Sequence, residues 1–368
     1  MTPSVGANRP RSLAGRLKAF LRISLPGITA VLAWSACGGS SPSSPTPPTT
    51  PGSSSESLKV AGSAAGKLVG TAIQAGFLGD TRYRAVVDRE FNYITAEYQM
   101  KWDVVETSPG VRNFSAGDAI VAYADGQGAR VKGHAFIWHG SVPAWVNGLS
   151  AADLRVAFES HIRAVGEHYR GRLLAWDVVN EAVADDGSGL RDTVFRQKLG
   201  DGYIADAFRL ARQADPQALL LYNDYGGEGM GSKSNRIYEL VKGLRAQGVP
   251  VDGVGLQMHV SANSRPSDAS IAANMRRLAE LGLLVNISEM DVRISNVAGS
   301  MQSRLEAQKS AYHDIVRLCV MEPRCDAVTF WGFTDAHTWI TGDTPLLYDD
   351  QYARKPAYFG ALDALSGR

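Results

Sequence analysis

The sequence predicts an α/β protein whose folded part is one closed (β/α)8 barrel. Three observations carry that reading. Eight short apolar runs alternate with longer amphipathic stretches between residues 67 and 333. No second cluster of strands stands beside them, and residues 58–368 are many for one domain unless the sheet closes on itself. Polar residues gather at the same end of run after run. A doubly wound open sheet shares the alternation, but neither kind of Gly-rich nucleotide loop occurs here.

The elements follow in order. Residues 1–36 are laid out as an export signal. Arg9, Arg11, Arg16, Lys18 and Arg22 come first, the apolar segment Ile23–Ala36 follows, and no acid precedes Glu56. Pro26 and Gly27 interrupt that segment, which is too short to span a bilayer permanently. Residues 37–57 form a Ser/Pro/Thr/Gly-rich linker with too little apolar surface to fold. Cys37 sits at the junction in the manner of a lipoprotein signal, although Trp34 stands where a Leu is usual. Two readings stay open: a lipid anchor on Cys37, or plain secretion with Cys37 incidental. In an exported chain Cys319 and Cys325 are expected to pair.

The predicted strands are 67–73, 91–97, 131–138, 173–181, 218–224, 253–259, 283–291 and 327–333. Among the stretches between them, 151–168 places Leu154, Phe158, Ile162 and Val165 on one helical face. The stretch 301–319 does the same with Leu305, Tyr312, Ile315, Val316 and Cys319. The net charge of +1, from 38 basic and 37 acidic residues, speaks against a nucleic-acid partner.

At the C-terminal ends of the runs stand Glu97, His134, Asn180 with Glu181, Asn223 with Asp224, Gln257 with His259, Glu289 with Asp291, and Trp331. Any one of these serves equally well as a strand cap. Repeated over seven strands, they mark the face where barrels carry their sites. Glu181 ends the fourth run and Glu289 the seventh, so the two acids face each other across the mouth. Two carboxylates about a sugar-sized gap are what glycoside hydrolysis requires. Asp291 lies on the same strand side as Glu289, and His259 ends the neighbouring run, so a Glu–His–Asp network is expected to hold Glu289 ionised. Glu181, behind an apolar strand, is then the proton donor, with the Asn180 amide beside it for a sugar hydroxyl. Lys101 and His134 add donors, and Trp138, Trp331 and Trp339 offer flat apolar faces. The His134–His139 pair comes with no cysteine, and no metal is expected.

The motifs FNYITAEYQMKW, GHAFIWH, WDVVNEAV, LYNDY, GLQMH, ISEMDVRI and FWGFTDAHTWI, in this order, resemble glycoside hydrolase family 10, the endo-β-1,4-xylanases, over residues 60–365. The resemblance implies a TIM barrel and a retaining mechanism, with carboxyl groups roughly 5–5.5 Å apart. It makes Glu181 the acid/base and Glu289 the nucleophile tuned by His259 and Asp291. Glu97, Tyr98, Lys101, His134, Trp138, Ser141, Asn180, Tyr225, Gln257, Trp331 and Trp339 are the substrate-binding positions it implies. A Cys319–Cys325 disulfide also fits the family. The implied partner is xylan or its oligosaccharides, met by an exported monomer without a cofactor. Two positions depart from the family pattern. Tyr98 stands where an Asn is usual and Ser141 where a Gln is usual, both on the glycone side. A retaining β-glycosidase of other specificity, acting on β-glucan or short xylosides, and a carbohydrate-binding protein without catalysis are the alternatives; two intact acids argue against the second.

Overall fold

The computed structural model describes residues 56–368. The export segment, Cys37 and all but the last two residues of the predicted linker lie outside it. Among the described residues there are nine parallel strands: β1 (Leu68–Ile73), β2 (Tyr93–Ala96), β3 (Arg130–Trp138), β4 (Ala175–Asn180), β5 (Leu219–Asp224), β6 (Gly253–Leu256), β7 (His259–Ser261), β8 (Leu284–Arg293) and β9 (Cys325–Phe330). The pairing runs β6-β5-β4-β3-β2-β1-β9-β8, and β8 pairs back onto β6, which closes an eight-stranded barrel. The short β7 lies outside that ring and extends the wall by pairing with the far end of β8, His259 opposite Asp291.

Every predicted run contains a strand, and the boundaries differ for local reasons. The run 253–259 was expected to be one strand. It stops at Leu256 because Met258 takes a left-handed backbone (φ 66°), after which His259 starts β7. β8 extends two residues beyond its expected end, since β7 gives it a partner there. β9 begins earlier than expected and leaves Trp331 just past its end. The disulfide joins Cys319 to Cys325, the first residue of β9.

Helices pack around the sheet as the 3.6-residue periodicity requires. On helix Ala151–His168 the expected Leu154, Phe158, Ile162 and Val165 are all buried. On helix Met301–Met321 Leu305 is only partly covered, and Gln308 takes the buried place. A glutamine is tolerated there because its amide donates to the carbonyls of Val292 and Thr344, both at 2.8 Å. Among the described residues no helix is long and apolar enough to cross a membrane.

The two ends of the folded chain meet on one buried acid. Glu90, the last residue of helix Thr81–Glu90, is fully buried. It accepts from the Leu58 amide (3.0 Å), Arg89 (2.6 Å), Arg354 (2.9 Å) and the hydroxyls of Tyr348 (2.9 Å) and Tyr358 (3.0 Å). Burial pushes its carboxyl upward, but these donors outweigh it and hold the group below its ordinary 4.5. The stabilisation is therefore present above the unfolded-state value and is lost as pH falls through the lower folded-state value. Glu90→Gln is expected to cost about 3 kcal/mol of unfolding free energy at pH 7. Denaturant melts at pH 7 and pH 3 check this: the gap to wild type shrinks at pH 3.

Candidate active site

The C-terminal mouth of the barrel holds a cavity of about 360 Å³. Glu181, Glu289, Asn180, Gln257, His134, His259, Lys101, Tyr98, Trp138, Tyr225, Arg293, Trp331 and Trp339 line it. Strand geometry alone does not put Asn180 and Glu181 there together, because consecutive side chains on a strand point to opposite faces. Glu181 escapes the alternation by adopting φ 59°, a left-handed backbone that is strained for a residue with a Cβ. Its surroundings fix that conformation. The Glu181 amide donates to Asn223 O at 2.8 Å, Arg191 Nε donates to Glu181 O at 3.1 Å, and the Ala182 amide donates to the Tyr222 hydroxyl at 3.1 Å.

Glu289 is almost wholly buried and is nonetheless held ionised. Burial pushes its carboxyl upward, but His134, His259 and Lys132 outweigh that and leave it below its ordinary value. His259 Nε2 lies 3.3 Å from Glu289 and Nδ1 lies 2.7 Å from Asp291. Burial alone would lower His259, yet the two carboxylates push it up to about 10. The expected Glu–His–Asp network is present. Trp339 Nε1 also donates to Asp291, at 2.9 Å.

A second buried chain reaches Glu289 from the barrel interior. Lys132 and Asp177 lie 2.9 Å apart, Asp177 and His134 2.9 Å, and His134 and Glu289 3.9 Å. His134, Asp177 and Glu289 could present ligand atoms within 4.8 Å of one another. The Lys132 ammonium already supplies positive charge at Asp177, so a metal cation there would meet like charge. Lys132 and Asp177 were missed in the sequence; charged residues inside the runs VKGHAFIW and LLAWDVV were the available signal.

An amide relay links the two acids. Asn223 Nδ2 donates to Glu289 (2.6 Å) and to Asn180 Oδ1 (2.9 Å). The Ser288 hydroxyl donates to Asn223 Oδ1 at 2.6 Å and so fixes which way that amide points. Gln257 Nε2 donates to Asn180 Oδ1 (3.1 Å) and to Glu181 (3.0 Å). With its oxygen doubly occupied, Asn180 turns its NH2 toward the carboxylate of Glu181, at 3.4 Å, at the edge of the cavity. Gly255 makes the relay possible, because a Cβ there would lie 2.0 Å from Asn223 Oδ1. Glu181 also accepts from Trp138 Nε1 at 2.7 Å, so its surroundings are more polar than the apolar strand before it suggested.

Not every expected residue faces the cavity. Glu97 and Ser141 lie outside its lining: Glu97 accepts from Gln74 at 3.1 Å, and the buried Ser141 hydroxyl donates to Asp103. A buried hydroxyl takes a carboxylate where one is in reach. Tyr98 does face the cavity. The Lys101 ammonium lies 4.5 Å from the centres of both the Tyr98 and Trp138 rings. Tyr225 lies over the Lys233 ammonium at 3.5 Å, and Lys233 in turn pairs with the buried Asp224 at 2.9 Å.

Two acids flanking one sugar-sized cavity, one of them held ionised and both joined through amides at a barrel's C-terminal face, define a glycoside hydrolase. The chain belongs to glycosyl hydrolase family 10, whose model matches residues 57–364. It is 40% identical over 309 residues to an endo-1,4-β-xylanase of Agaricus bisporus, covering 82% of this chain and 91% of that one. To endo-1,4-β-xylanase B of Thermotoga neapolitana it is 38% identical over 291 residues, 77% of this chain and 83% of that one. The crystal structure of xylanase 10B from Thermotoga petrophila RKU-1 in complex with xylobiose superposes with a TM-score of 0.82 at 38% identity, over 85% of this chain and 98% of that one.

His259 supplies much of the positive charge that keeps Glu289 ionised. In His259→Asn the acid limb of the kcat/KM profile on an aryl glycoside is expected to move up by about one pH unit, with a lower kcat. An unmoved limb would show that His259 does not act on Glu289.

Proposed function

We propose that the protein is a retaining endo-β-1,4-xylanase that hydrolyses xylan or xylo-oligosaccharides by double displacement. The observation that carries this is the amide relay: Asn223 and Gln257 join Glu289, Asn180 and Glu181 into one unit around the point of cleavage. Glu289 attacks the anomeric carbon while Glu181 protonates the leaving oxygen, giving a glycosyl ester on Glu289. Glu181, now ionised, then takes a proton from water, which attacks the same carbon and frees Glu289. The Asn180 NH2 is aimed to hold a hydroxyl of the attacked sugar, and Trp331 and Trp339 provide faces for its ring. The named xylanase relatives support xylan as the polymer. The basic and apolar layout of residues 1–36 supports export, with Cys37 available for a lipid.

The experiment is xylan hydrolysis followed by the anomeric form of the first product. Retained β-configuration is expected, and Glu289→Ala should lose a factor on the order of 10⁴ in kcat. An inverted product, or a Glu289→Ala variant as active as wild type, would overturn the assignment.

The glycone end is proposed to differ from the family pattern. Tyr98 presents a ring beside Lys101 in place of an amide, and the Ser141 hydroxyl is turned to Asp103. A lost polar contact to a sugar is worth about 1–3 kcal/mol. Wild type is therefore expected to gain little from a second glycone sugar when aryl xylobiosides and xylosides with one leaving group are compared. Tyr98→Asn should raise that ratio by about tenfold; a strong wild-type preference for the xylobioside would sink this reading.

A further inference from the structure

We propose that Arg293 reads a carboxylate carried on a side branch of the polysaccharide, so that the cleft favours uronic-acid-substituted xylan over neutral xylan. The inference rests on the xylanase reading above and adds a substrate class to it. β8 is ten residues long, and alternate side chains share a face, so Glu289 and Arg293 both stand on the cleft wall with the buried Asp291 between them. At strand rise, Arg293 stands about 13 Å along β8 from Glu289. In this reading the sugar chain meets Glu289, and a substituent projecting from it is what reaches Arg293.

The guanidinium is uncommitted. Its carbon lies 5.6 Å from the centre of the Trp339 ring, and Arg293 lines the cavity. The acids nearest in the wall are already taken. Asp291 is held by His259 and Trp339, and Asp343 by the amides of Ile294, Ser295 and Thr344. Among the described residues no carboxylate lies within ion-pairing distance of Arg293. Other cations around the mouth differ: Arg191 is neutralised by Asp185 at 2.7 Å and Lys233 by Asp224 at 2.9 Å, while Lys101 is buried between two rings. A guanidinium beside an indole keeps a planar fork of N–H donors that matches a carboxylate in two-point fashion. Neutral hydroxyls make less use of it. Glu181 and Glu289 line the cleft, so an acidic branch is best received where a counter-charge stands on its path.

The test compares kcat/KM of the full chain on glucuronic-acid-substituted xylan and on the same polymer after its carboxyls are reduced to alcohols. Wild type should favour the acidic polymer by about tenfold at low salt, and sodium chloride should erode the preference. In Arg293→Met the ratio should fall to about one, and in Arg293→Lys it should lie between, since a point charge lacks the fork. A ratio taken within one preparation does not depend on how much of a variant is folded. Equal wild-type rates on the two polymers, or a ratio that survives Arg293→Met, would overturn this inference and leave the xylanase reading standing. Failure to cleave either polymer would overturn both.

Discussion

The site depends on keeping one negative charge where water scarcely reaches. Glu289 is buried at the head of the barrel, and an unsupported carboxylate there would take up a proton. Support reaches it on two sides, from the His259 cation with Asp291 behind it, and from His134 with Asp177 and the Lys132 ammonium behind that. Each histidine is oriented through its Nδ1 by an aspartate. Hydrogen bonds complete the support, above all the 2.6 Å donation from Asn223, and Gly255 exists as a glycine so that Asn223 fits.

Backbone strain serves the same end. The left-handed turns at Glu181 and Met258 stand just after β4 and just after β6, on either side of β5. At Glu181 the turn lets two consecutive side chains face one cavity. At Met258 it ends the barrel strand and starts β7, which places His259 opposite Asp291. Left-handed backbone costs a residue with a Cβ about 1–2 kcal/mol. At Glu181 that cost is offset by hydrogen bonds donated to β5 by the Glu181 and Ala182 amides and by one accepted from Arg191.

The two acids and the outer residues of the cleft stand on different parts of the wall. Residues that touch Glu181 and Glu289 lie at or beside strand ends. Tyr98 and Lys101 lie on the segment after β2, and Trp339 and Arg293 on the outer reach of the opposite wall.

The sequence by itself determined the barrel, the approximate strands and both acids, because strand periodicity and polar strand ends are local signals. Glu181, Glu289, His259 with Asp291, and the two cysteines were legible from spacing and motif. The long-range partnerships were not. Nothing local says that Lys132 and Asp177, each inside an apolar run, meet inside the barrel, or that Asn223 bridges Asn180 to Glu289. Nor does the sequence disclose that the Ser141 hydroxyl turns to Asp103, or that Gln308 rather than Leu305 is buried. Those outcomes depend on which neighbour fills a given hydrogen bond or void. Only closure of the sheet, bringing β8 back onto β6, decides that.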